Sequence, residues 1–289
     1  MGILLGILTA LTWGSSDFLA RFATQRMGTL RALLYMQLIG FILLTICLPW
    51  MGGWGHLADG SGWQPWAWGF LAGGVNAIST LSLYRSFEIG KMAVVAPLSA
   101  SYPVLSVSLS LLSGERLSAA RAFGIACTML GVLLVAAGEQ PPNANDAEAV
   151  KRSGKGIGWA LCSALGFGVL FWLLGLRVIP RVGAPQTVWM IRLTCTVVAA
   201  AIILLARQPL GLPRNTRWIS LGMGAGDTSA FVLSNRAMQI EQVAVISVLG
   251  SLYGAVTVAL AAVVLREHVS RWQWCGIASI FGGIYLMSR

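Results

Sequence analysis

Two segments decide the reading of this chain: residues 115–131, ERLSAARAFGIACTMLG, and residues 267–283, EHVSRWQWCGIASIFGG. Laid over each other without a gap, they match at Glu115 and Glu267, Ser118 and Ser270, Gly124-Ile125-Ala126 and Gly276-Ile277-Ala278, and Gly131 and Gly283. The same register runs upstream through Trp66 and Trp218, Gly74 and Gly226, Leu81 and Leu233, Ser99 and Ser251, and Val104 and Val256. Near the start of each half, Trp13-Gly14 falls opposite Phe167-Gly168 after a two-residue slip. The chain is a duplication, with residues 1–138 as one half, the polar linker 139–154 (EQPPNANDAEAVKRSG) between, and 155–289 as the other.

The surroundings of these segments are apolar. Of 289 residues 56% are hydrophobic and only 10% charged, where a soluble domain carries about 25% charged residues. So few charges cannot wet a globular surface, and the solvent for most of it must be lipid. Runs long enough to cross a bilayer as helix fall at about 2–24, 30–50, 66–87, 92–112, 119–138, 155–178, 185–206, 217–237, 243–264 and 271–288. The predicted fold is an all-α membrane protein of ten transmembrane helices. Five spans per half is an odd number, so the second half enters the membrane from the opposite side. The result is two inverted five-helix repeats, an arrangement of secondary transporters whose substrate site lies at the repeat interface near the midplane.

The net charge of +10 does not point to nucleic acid, because the basic residues sit singly or in pairs between apolar runs rather than on one helix face. Arg21, Arg26, Arg31, Arg85, Arg207 and Arg214 belong to the richer, odd-numbered connections; Arg116, Arg121, Arg177, Arg181 and Arg236 belong to the even-numbered ones. The positive-inside rule would put the odd connections in the cytoplasm and both termini outside. Cys47, Cys127, Cys162, Cys195 and Cys275 lie in apolar runs without a Cys-x-x-Cys and read as small buried hydrophobes. The stretch from Gly2 to Ala23 lacks a positive leader and a cleavage site and reads as the first span.

The segments 84–138 and 235–287 share a small-residue helix end, a short loop, an apolar helix with small polar residues, a Glu in the next loop and a Gly-spaced last helix. In these features the chain resembles the drug/metabolite transporter superfamily, and most closely its ten-helix EamA-type branch. That resemblance implies export of amino acids, aromatic ones among them, or of other small metabolites. It also implies a bacterial inner (cytoplasmic) membrane and cytoplasmic termini. The charge bias conflicts with this last expectation, so orientation stays open.

Polar groups inside the spans are costly unless they face a cavity or a partner. Asp17 in helix 1, Arg192 in helix 7 and Asp227 in helix 8 are such groups. An acid and a base in one cavity would suit a zwitterion, with Arg192 taking its carboxylate; the competing reading is an ion pair of Arg192 with Asp227 or Asp17 that locks helices together. Asn76, Thr80 and Tyr84 share one face of helix 3 and are expected to line the pathway. In helix 4, Ser99 and Tyr102 sit beside Pro97 and Pro103, which bend the helix; their mates Ser251 and Tyr253 in helix 9 come without proline, predicting an asymmetric bend. Trp13, Trp159, Trp172 and Trp189, with Phe167, Phe171, Tyr102 and Tyr253, are candidates for an aromatic wall; Trp54, Trp66 and the remaining tryptophans read as an interfacial belt. Glu115 and Glu267 read as caps of the following helices or as local ion pairs. Gly69 with Gly73, Gly222 with Gly226, and Gly250 with Gly254 permit close helix approach, within a monomer or between two, so the monomeric state stays open.

There is no phosphate-binding loop, since Gly154-Lys155-Gly156 lacks the rest of one, and His56 and His268 are far apart in loops. No catalytic residue, metal or cofactor is expected; the expected partners are a small-molecule substrate and membrane lipid, without nucleic acid. Helices 1, 3, 4, 6, 8 and 9 should line an alternating-access cavity that exports small neutral metabolites, amino acids with apolar or aromatic side chains foremost. The competing function is efflux of multidrug or cationic compounds by proton antiport.

Overall fold

The computed structural model describes residues 1–90, 95, 98–137, 156–265 and 271–287. Pro97, the linker 139–154, Glu267 and His268 lie outside the described residues. Ten helices follow one another: α1 (Gly2–Met27), α2 (Thr29–Cys47), α3 (Gln64–Ile89), α4 (Pro103–Leu112), α5 (Ala119–Ala137), α6 (Ile157–Leu173), α7 (Ala184–Leu205), α8 (Arg217–Met238), α9 (Val243–Ser251, resuming over Tyr253–Leu265) and α10 (Arg271–Met287). Gly2–Met27, Thr29–Met51, Ile157–Val182 and Ala184–Leu205 are by themselves long and apolar enough to span a bilayer. Large apolar side chains such as Ile42, Phe123, Leu165 and Phe281 stand on the outside of the bundle, as a lipid-facing surface requires.

The helices pair as a two-fold axis dictates. α1 packs on α8 as α3 packs on α6, and α1 on α9 as α6 on α4, while α2 meets α7 and α5 meets α10 across the axis. Glycines set the close approaches. A Cβ on Gly14 would lie 2.9 Å from the Tyr253 carbonyl of α9, and one on its counterpart Gly168 would lie 3.0 Å from the Tyr102 carbonyl at α4. At the α5–α10 crossing, a Cβ on Gly124 would sit 2.7 Å from the Gly283 oxygen, and one on Gly131 would sit 2.6 Å from the Gly276 oxygen. Between those two contacts the Ser279 hydroxyl donates to the Cys127 carbonyl at 2.7 Å. Cys127 and Ser279 are repeat mates, so the axis passes there. Gly69 and Gly73 likewise admit Met190 and Thr194 of α7, and Gly226 admits Ser16 of α1. All of these approaches lie within one chain.

Two helices depart from the sequence reading. The run expected over 155–178 continues past α6 through a π turn, Leu174–Val178, and a last turn, Ile179–Val182. Pro180 offers no amide and its ring crowds the carbonyl four residues back. The Ile179 amide reaches back to Leu174 instead, and Gly175 leaves room there for Val243. The second departure corrects the asymmetric bend. α9 breaks at Leu252 as the chain before α4 breaks over Ala100–Tyr102, although only α4 carries a proline. In both places the backbone tightens to i→i−3 bonds, Tyr102 to Ser99 and Leu252 to Leu249. A serine hydroxyl bonds back to a carbonyl at each site, Ser101 to Leu98 and Ser251 to Val248, both at 2.7 Å. Serine back-bonding competes for helix carbonyls and accompanies the break in α9 where proline is lacking.

Candidate substrate cavity

The cavity lies where the halves meet and is narrow, about 40 Å³. α1 contributes Trp13 and Asp17, one turn apart, and α6 contributes Phe167 and Phe171 at the same spacing. Thr80, Leu83 and Tyr84 come from α3, Tyr102 from the break before α4, Asp227 and Phe231 from α8, and Tyr253 from the break in α9. The helix breaks therefore place two tyrosines at the centre, one from each half.

Aromatic rings form most of the wall. Trp13 sets its edge against Phe171 and Phe231 at 5.6 and 5.0 Å, and Tyr102 stacks on Phe171 at 4.8 Å. The Tyr102 hydroxyl donates to the Ser247 carbonyl at 2.9 Å, and Gly250 gives the ring its space, because a Cβ there would stand 2.8 Å from that hydroxyl. The ring is thus held by α9 of the other half. The Tyr253 hydroxyl is buried without a hydrogen-bond partner, and a buried polar group in that state has capacity left for a ligand.

The charges are arranged unequally. Arg192 on α7 is wholly buried and does not line the cavity. Its guanidinium lies 2.6 Å from the Asp227 carboxylate, donates to Gln37 of α2 at 2.8 Å, and sits 5.1 Å over the Phe231 ring. Asp17 has no hydrogen bond or ion pair among the described residues and is 6% exposed. The cavity therefore presents two carboxylates, one of them neutralised from behind, and no cation among the described residues. Aromatic faces with an unpaired acid suit a cationic nitrogen, held by the ring quadrupoles and by the carboxylate.

Asn76, Ser99, Arg192 and Ser251 were expected at the site and stand outside its lining. Asn76 turns toward α7 and donates to Cys195 at 3.3 Å, so the polar stripe of α3 divides between the cavity and a helix contact. Ser99 is fully buried with its hydroxyl unpartnered, and Ser251 serves the break in α9. The aromatic wall also omits three expected tryptophans. Trp189 donates to Thr45 at 2.9 Å and packs on Phe41, Trp54 and Trp66; Trp172 donates to Ser113 at 2.8 Å; Trp159 is 43% exposed. Phe231 and Leu83 line the cavity without having been singled out. The spacing of Phe231 from Asp227, one turn on the same face, was a usable signal; nothing distinguished Leu83 from other leucines.

Bonds between the halves tie together the even-numbered connections. Glu115 accepts from the amides of Val243 and Ala244 at 2.8 and 3.3 Å, so it caps α9 of the opposite half rather than the following helix α5. Arg121 pairs with Glu241 at 2.7 Å and also donates to Gln242, whose amide in turn reaches the Arg116 carbonyl.

This duplicated bundle with its central cavity agrees with what sequence comparison finds. The EamA-like transporter family matches over residues 1–137 and 154–289. The chain belongs to that family. It is a multi-pass membrane transporter of small molecules, and it falls within the drug/metabolite transporter superfamily. A solved structure described only as "Crystal structure of protein" is similar in fold, with a TM-score of 0.77 at 20% identity over 99% of this chain and 95% of the other. No curated protein is similar enough in sequence to count as a match.

Proposed function

We propose that this EamA-family transporter exports small metabolites carrying an ammonium group on an aromatic or branched apolar body, across the inner membrane of a bacterium. The single observation behind the reading is the unpaired Asp17 carboxylate within a wall of Trp13, Phe171, Phe231 and the two tyrosines. Amino acids with apolar or aromatic side chains satisfy it. Their carboxylate would rest on hydroxyls such as those of Tyr253 and Thr80, since Arg192 is committed to Asp227. Export proceeds by alternating exposure of the cavity between the inverted halves. A second reading, efflux of cationic amines by proton antiport, is favoured by the cavity lining, which holds no cation among the described residues.

Calorimetric titration of the purified protein with phenylalanine, phenethylamine and 3-phenylpropionate separates these readings. Binding of both ammonium compounds and not of the bare carboxylate supports the proposal. Phenethylamine alone moves it to the second reading. Binding of 3-phenylpropionate, or of none of the three, overturns both.

A further inference from the structure

A second hollow opens at the face of the odd-numbered connections, apart from the central cavity. It has a volume of about 600 Å³ between the α1–α2 turn, the end of α3, the start of α6 and the end of α7. Arg26, Arg31 and Arg85 line it, with Glu88 as the one carboxylate among the lining residues. Glu88 is already engaged, pairing with Arg85 at 2.8 Å and accepting from the Thr29 hydroxyl at 2.5 Å. Arg31 donates its Nε to the Met27 carbonyl at 2.6 Å. Its terminal nitrogens, and the whole guanidinium of Arg26, have no anion among the described residues. The first turn of α2 has no side-chain cap, so its free amides add to the positive field at the same place.

Toward the membrane interior the lining changes character. Leu81 lies one turn deeper on α3 than Arg85, Ile202 lies inside the end of α7, and Trp159 stands near the start of α6. A hollow that is cationic at the membrane surface and apolar below it matches an anionic amphiphile. A phosphate would take charge-assisted bonds from the guanidiniums, and an acyl chain would cover the apolar wall. A soluble phosphate would use only the upper part.

We propose that this hollow holds one anionic phospholipid, of the phosphatidylglycerol kind, with its phosphate on Arg26 and Arg31. The proposal does not depend on which face is cytoplasmic, because it rests on local charge and depth.

The test is native mass spectrometry of the intact protein with equal phosphatidylglycerol and phosphatidylcholine. The natural chain is expected to retain one phosphatidylglycerol in preference. Arg26→Gln with Arg31→Gln should weaken that retention about thirty-fold, taking roughly one surface cation's attraction per arginine. Arg26→Lys with Arg31→Lys keeps the charge and most of the binding, which also controls for folding, and Arg236→Gln on the other face should behave as the natural chain. Equal retention of both lipids overturns the proposal, as does loss in the lysine variant, which would make shape rather than charge responsible. Displacement of the lipid by glycerol phosphate alone would assign the site to a soluble anion, with the same consequence.

Discussion

The Arg192 guanidinium stands 2.6 Å from the Asp227 carboxylate, fully buried behind the cavity wall, while Asp17 faces the same cavity without a counter-charge among the described residues. This inequality carries the functional argument. It assigns Arg192 to the scaffold, joining α2, α7 and α8, and leaves Asp17 as the carboxylate open to a ligand.

Removing Arg192 strands a buried anion. Arg192→Gln is expected to lower stability by about 3–5 kcal/mol, read as a fall in the thermal midpoint in detergent. Arg192→Gln combined with Asp227→Asn should recover most of the loss, since neither charge remains. A double variant as unstable as the single one would contradict an energetically coupled pair.

Glu115 joins the two halves at the even-loop end by accepting from the first amides of α9. Glu115→Ala leaves the first amides of α9 without their acceptor, a loss of about 1 kcal/mol by analogy with helix caps. The expected signature is faster labelling of Gln242→Cys by a membrane-impermeant maleimide in the Glu115→Ala background. An unchanged labelling rate would mean the cap does not hold that end shut.

The glycines separate by their neighbours. Gly124→Ala and Gly131→Ala drive a methyl against backbone carbonyls of α10, whereas Gly74→Ala and Gly282→Ala meet nothing within 4 Å. The first pair should each cost about 1–3 kcal/mol and the second pair close to nothing, checked by thermal melts of the four variants. Equal effects across the four would remove the α5–α10 crossing from the account.

The architecture was legible because its signals are long-ranged and redundant. The apolar runs give the ten helices, and the register that pairs Gly124 with Gly276 and Gly131 with Gly283 becomes the crossing of α5 and α10. The site was legible only in part. Helix periodicity brings Trp13 with Asp17 and Phe167 with Phe171 onto shared faces, but it does not say which neighbour a face meets. Asn76 therefore ended against α7, and Arg192 ended behind Asp227. The break in α9 escaped notice because serine back-bonding lacks the sequence mark that proline leaves. Glu115 was read against its own chain neighbours, whereas its partners come from the other half.

Flux through proteoliposomes bears most directly on the central claim that Asp17 receives the substrate's ammonium. The natural chain should move labelled phenylalanine or phenethylamine, with and without a pH gradient deciding whether protons are coupled. Asp17→Asn, equal in volume and uncharged, should abolish that movement while leaving the thermal midpoint nearly unchanged. Undiminished flux in Asp17→Asn, or no flux of either compound in the natural chain, would contradict the account.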